Sequence, residues 1–184
     1  MKKLKFGYSI SKQLSAHEFL YTIIYQMSLE VDDMKKQTLE IKVALQIQKP
    51  VQEVFEAIVD PEKMSNYFIS KSSGKMEEGK QIKWCFPEFD IGFPIRVGKI
   101  EKNKYISYYW NVDDKELIVE MTLTSKEDKG TLVTITEKSM ENDKAGIKWL
   151  MGNTGGWANF LVCLKAYLEY GINLRKGAFE YLKS

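Results

Sequence analysis

A single histidine leaves this 184-residue chain few routes to proton transfer near neutral pH. It is His17, which lies ahead of the segments that read as a folded body. A Ser–His or Cys–His nucleophilic pair therefore cannot be built on that body. Cys85 and Cys163 stand far apart and show neither a C-x-x-C pair nor zinc spacing. They read as small buried hydrophobes in a reducing compartment. No acidic cluster has the spacing of a metal site. Gly155-Gly156 lacks the lysine and upstream pattern of a phosphate loop, and reads as room for close packing at a helix entry. No catalytic residue, metal or cofactor is expected.

A few charged residues interrupt apolar surroundings. In IGFPIRVGKI, alternation that points Phe93, Ile95 and Val97 inward sends Arg96 to water. Glu88 and Asp90 sit in PEFDIGFP between Pro87 and Pro94; this stretch reads as a solvated loop, with a cavity rim as the alternative. Glu120 shares a strand face with Glu116 and Thr122 and reads as solvent-facing, and Asp113-Asp114 reads as a hairpin turn.

Aromatic mass is the stronger signal. Trp84, Phe86, Phe89, Phe93, Tyr108, Trp110, Trp149, Trp157 and Phe160 are many large rings for one small body. Rigid rings make good cavity walls, and Tyr and Trp can present a polar atom to a ligand. The same rings could also fill the space as ordinary core. In GGWANFLVCLKAYLEYG (155–171), Trp157, Leu161, Leu164 and Leu168 share one helical stripe, with Phe160, Cys163, Tyr167 and Tyr170 beside it. A surface that broad must be covered by something large.

The elements around that helix follow from periodicity. In TLEIKVALQI, Leu39, Ile41, Val43, Leu45 and Ile47 alternate with more polar residues, as in a half-wet strand. Pro50 opens a helix over VQEVFEAIVD, and Asp60-Pro61 ends it and starts a short second one, PEKMSNYF. QIKWCF, IGFPIRVGKI, KYISYYWN, KELIVEMTLTS and GTLVTITEKS then read as strands joined by short polar turns. Ile106, Tyr108 and Trp110 line one apolar face; Leu117, Val119, Met121 and Leu123 line the next. Asn153 and Thr154 are placed to cap a last helix running from about 154 to 181. Strands in succession without crossover helices make an α+β plan of six or seven antiparallel strands, closed by the long C-terminal helix.

Residues 1–36 differ from the rest. Phe19, Leu20, Ile23, Ile24 and Met27 would line a short amphipathic helix, which the polar EVDDMKKQ breaks. This extension reads as an appended helix packed on the body, or as a docking arm for a protein partner or a membrane surface. Lys2, Lys3 and Lys5 precede the apolar run FLYTIIYQMSL, but His17 and Glu18 and the lack of a small-residue cleavage site argue against a secretory signal. No apolar stretch approaches a membrane span. A net charge of +2 with mixed signs does not suit a nucleic-acid binder. A cytoplasmic protein is expected.

PVQEVFEAIVDPEKMSNYF (50–68), YISYYW (105–110), GTLVTITEKS (130–139) and GGWANFLVCLKAYLEYG (155–171) together resemble the SRPBCC superfamily of START-related, birch-pollen-allergen-like proteins, in the branch of homologues of the heat-shock-protein-90 ATPase activator. The resemblance covers about residues 37–176. It implies a helix-grip fold over 37–184, with a hydrophobic cavity between curved sheet and C-terminal helix. Trp84, Phe86, Phe93, Tyr108, Trp110, Met121, Trp157, Phe160, Leu161 and Leu164 are the expected cavity residues. The expected function is binding of a small apolar or amphipathic ligand, without catalysis, by a monomer or homodimer. Two alternatives remain: a chaperone-linked interaction domain, and a cyclase- or hydrolase-like enzyme using cavity tyrosines or carboxylates. The eukaryotic activators carry a separate N-terminal domain that this chain is too short to hold, so the resemblance carries fold rather than ATPase activation.

Overall fold

The computed structural model describes residues 16–112 and 114–183. The chain divides into two compact units, Met1–Gln37 and Thr38–Ser184. The first contributes one described element, α1 (Ala16–Lys36). At 21 residues it is longer than the short helix predicted. Glu30, Met34, Lys35 and Lys36 end the apolar stripe but are good helix formers, so the backbone continues. Leu20, Ile23, Ile24 and Met27 are exposed; the side chain of Phe19, and Lys2, Lys3 and Lys5, lie outside the described residues.

In the second unit, β1 (Thr38–Ile47) leads into α2 (Val51–Val59) and α3 (Pro61–Met64). Six strands follow: β2 (Lys71–Ser72), β3 (Gln81–Cys85), β4 (Gly92–Glu101), β5 (Tyr105–Val112), β6 (Lys115–Ser125) and β7 (Thr131–Glu141). The long helix α4 (Lys144–Tyr170) comes next. The seven strands form one antiparallel sheet in the order β1-β7-β6-β5-β4-β3-β2. Apart from β1, which pairs with β7, each strand lies beside its neighbour in sequence, as short hairpin turns require. Asp114 takes a left-handed φ of 63° in the β5–β6 turn; Asp113 lies outside the described residues. This is the α+β helix-grip architecture.

Two breaks in register curve the sheet, at Leu39/Glu40 in β1 and at Val97/Ile100 in β4. An extra residue on one strand bends it and increases its twist. At the second break the backbones press close: a Cβ on Gly98 would come within 2.6 Å of Ser107 Oγ. The alternating residues point as their pattern predicts. Leu117, Val119, Met121 and Leu123 are buried from β6, and Ile95 and Val97 from β4. Arg96 faces outward, donates to Glu116 and stacks 3.8 Å over Tyr109.

Helix α4 corrects the predicted boundaries. It starts at Lys144, well before the expected site, because Asp143 is the cap: its Oδ1 accepts from Gly146 N–H at 2.8 Å. Asn153 and Thr154 are interior, and Thr154 Oγ1 donates back to the Leu150 carbonyl. The helix also stops earlier. Gly171 adopts φ 68°, and the N–H groups of Gly171 and Ile172 close onto Tyr167 and Ala166 carbonyls at 3.0 and 3.2 Å. Beyond it the tail turns back toward the body. The inward face of α4, with Trp157, Phe160, Leu161 and Leu164, packs into the core that the sheet supplies, lying along β1 and β7.

Candidate functional site

The tail brings Arg175, Phe179 and Leu182 opposite the loop that follows β3, and a pocket of about 400 Å³ lies between them. Its walls are Phe68, Phe86, Phe89, Phe93, Trp110 and Trp157, with Asn153, Gly156 and Asn159 from α4. The rings brace one another. Phe86 and Phe93 meet edge to face at 5.4 Å, Phe89 and Phe93 at 5.7 Å, and the Trp110 and Trp157 rings lie 5.6 Å apart. A larger depression of about 740 Å³ lies among Gln46, Gln48, Lys49, Ser125, Glu127 and Lys129. Its walls are more polar than those of the ring-lined pocket and give a ligand less apolar surface to bury.

At the pocket mouth Glu88 is paired with Arg175 at 2.9 Å, both side chains largely buried. The solvated loop expected around Glu88 is thus corrected: the rim reading is the one observed, while Asp90 stays exposed. The guanidinium of Arg175 lies 4.6 Å from the centre of the Phe179 ring and about a further ångström from those of Phe68 (5.5 Å) and Phe86 (5.6 Å). An ion pair removed from water is held because rings and carboxylate share the cation. Arg175 Nε is buried without a hydrogen-bond partner among the described residues.

Behind the pocket wall lies a carboxyl group that no sequence motif marks. Glu137 of β7 is 0% exposed. Its Oε1 accepts from Trp110 Nε1 at 2.8 Å, and its Oε2 accepts from Trp157 Nε1 at 2.7 Å. Asn153 Nδ2 donates to both oxygens at longer range, 3.4 and 3.2 Å. Three neutral donors, one from the sheet and two from consecutive turns of α4, thus converge on one buried anion. The signal is present in the chain: Val133, Ile135 and Glu137 alternate, so period two sends Glu137 inward with its apolar neighbours. Burial raises the pKa of the Tyr108 phenol well above its usual value, and the charge of Glu137 raises it further. Burial likewise pushes the Cys163 thiol up, against a smaller opposing pull from Arg175.

The ten residues predicted to line a cavity divide into two groups. Phe86, Phe93, Trp110 and Trp157 line the pocket. Trp84, Tyr108, Met121, Phe160, Leu161 and Leu164 are buried in the core and do not line it. These six pack solidly within the core, as Trp84 does edge to face against Tyr108 at 5.1 Å. Gly155 and Gly156, expected to allow close packing at a helix entry, instead lie mid-helix. A Cβ added at either would meet nothing within 4 Å, and Gly156 borders the pocket. Among the described residues no His, Cys, Asp or Glu group is arranged to hold a metal, and no helix is long and apolar enough to cross a membrane.

Comparisons with known proteins agree with this architecture. A protein from Staphylococcus saprophyticus of known structure is 35% identical, with 74% of this chain and 96% of that one covered and a TM-score of 0.67. DynU16, from the dynemicin biosynthetic locus, is 26% identical over 72% of this chain and 48% of its own, with a TM-score of 0.64. The Aha1 dimer from Colwellia psychrerythraea shares the fold at 21% identity, with 72% and 98% covered and a TM-score of 0.63. No curated protein matches. The family model described as Activator of Hsp90 ATPase homolog 1-like protein matches residues 48–169, and with the sheet, the gripped helix and the 35% identical relative in agreement, the chain belongs to that family.

Proposed function

We propose that this protein binds a small apolar or amphipathic molecule in the pocket between the Trp110–Trp157 wall and the C-terminal tail. One observation carries the reading: an opening of about 400 Å³ has aromatic rings as its main walls, Phe68, Phe86, Phe89, Phe93, Trp110, Trp157 and Phe179. That volume falls within the range of small-molecule sites. The indole N–H groups of Trp110 and Trp157 are turned onto Glu137, so hydrocarbon is what these rings offer a ligand. The same bonds fix the two rings and resist collapse of the space between them.

Binding without chemistry is the better-supported form of this reading. Glu88 is committed to Arg175, and Glu137 to two indoles and an amide. The second unit, to which both belong, contains no histidine. The test is a titration with 2-methylnaphthalene followed by tryptophan fluorescence. Saturable quenching is expected in the native protein and its loss in Gly156→Phe, whose ring would project into the pocket. Equal quenching in both proteins would refute the site.

A further inference from the structure

We propose, resting on the pocket reading above, that the ligand carries a cationic head, a protonated amine or guanidinium, seated against the Trp110–Trp157 wall in front of Glu137. The charges around the pocket lead there. Glu88 and Arg175 neutralise each other at the mouth. No lysine lines the pocket. Glu137, fully buried one layer behind, is satisfied only by neutral donors. The site therefore holds a buried carboxyl group with no cation of the chain beside it, and its acceptor oxygens favour a ligand that brings a positive charge over one that brings a second anion.

The indoles add to this. An N–H that donates to a carboxylate is polarised by it, and electron density in the ring rises. Trp is already the preferred partner in cation–π contacts. The molecule displays the same preference a short distance away: Arg175 rests on Phe179, Phe68 and Phe86 while paired with Glu88. The Trp110–Trp157 wall repeats that combination of rings and carboxylate without a cation from the chain itself. The Asn153 amide, whose bonds to Glu137 are the longest of the set, is the group that a ligand donor would compete with.

Four probes with one ring system separate this inference from the pocket reading: 2-methylnaphthalene, 2-naphthalenemethanol, 2-naphthylmethylamine and 2-naphthoic acid, titrated at neutral pH. The amine is expected to bind about tenfold tighter than the methyl and alcohol probes. The acid is expected to bind weakest. Glu137→Gln should erase the amine's advantage, read as the ratio of its affinity to that of 2-methylnaphthalene in the same variant, whatever the variant does to 2-methylnaphthalene binding itself. Arg175→Met, changed in the tail outside the sheet–helix core, should enlarge the advantage by freeing Glu88. If Glu137→Gln does not fold, a crystal structure of the native protein with the amine decides, and a nitrogen lying against Glu88 and away from the Trp110–Trp157 wall overturns the inference. Methyl and amine probes binding equally, or the acid binding tightest, overturns the cationic head and leaves the pocket standing. Failure of all four to bind overturns both.

Discussion

Glu137 is the residue whose loss should be felt most. Glu137→Ala would leave two indole N–H groups and an amide without their acceptor in a buried place and open a cavity as well. Breaking such a buried charged network costs roughly 3–5 kcal/mol. Urea unfolding followed by tryptophan fluorescence should show that loss; a change under about 1 kcal/mol, typical of a solvated side chain, would contradict the assigned network. On the outer face of the sheet the stakes are smaller and depend on pH. Glu120 accepts from Lys138 Nζ at 2.7 Å and from the Tyr105 hydroxyl at 2.6 Å, and these bonds, Lys138 foremost, hold its carboxyl below the usual 4.5. A carboxylate with a depressed folded pKa stabilises above its unfolded value, and that contribution is lost as pH falls through the folded one. The difference in melting temperature between the native protein and Glu120→Gln should therefore be largest near neutrality and shrink below pH 4.5. A pH-independent difference would contradict the pairing. Glu120 and Arg96 are legible in the sequence because alternation alone decides which face they take. Glu137 obeys the same alternation, but the strong prior that carboxylates face water hides it. Glu88 gives no local signal at all: its partner lies 87 positions further along the chain.

Among the elements, α4 joins fold and site. Its middle, Gly152 through Gly156, holds three glycines and is weak by helix propensity. The helix persists there because Trp149 before it and Trp157 after it are anchored in the core. Gly156→Ala should stabilise the protein by about 0.5–1 kcal/mol, since a Cβ there meets nothing within 4 Å and the unfolded chain loses freedom. Thermal unfolding reads this directly, and destabilisation would mean that the site is tighter than it stands. The same glycine-rich stretch explains why sequence reasoning misplaces the start of α4. Asn153 and Thr154 look like a cap when read locally, whereas the true cap, Asp143, is separated from the apolar stripe that starts at Trp157 by nearly four turns. The end, expected near 181, falls instead at Gly171, a residue suited to the left-handed backbone that closes a helix and the local signal that the expectation underweighs.

For the whole molecule, the order of elements is legible because a meander leaves little topological choice. The position of the pocket is not. It depends on a tail without regular periodicity folding back to place Arg175 and Phe179 against the rings of the β3–β4 loop. All the residues of the main core lie at or beyond Ile41, so residues 38–184 should fold alone with the melting temperature and probe affinities of the full chain. Loss of folding in that fragment would contradict the division into two units. The most direct test of the account is a crystal structure grown with saturating 2-naphthylmethylamine. The predicted result places the naphthalene ring between Phe93 and the Trp110–Trp157 pair, with its nitrogen within about 6 Å of an indole centre. Naphthalene density found only in the polar depression near Lys49 and Lys129, or indoles closed over an occluded pocket, would contradict it.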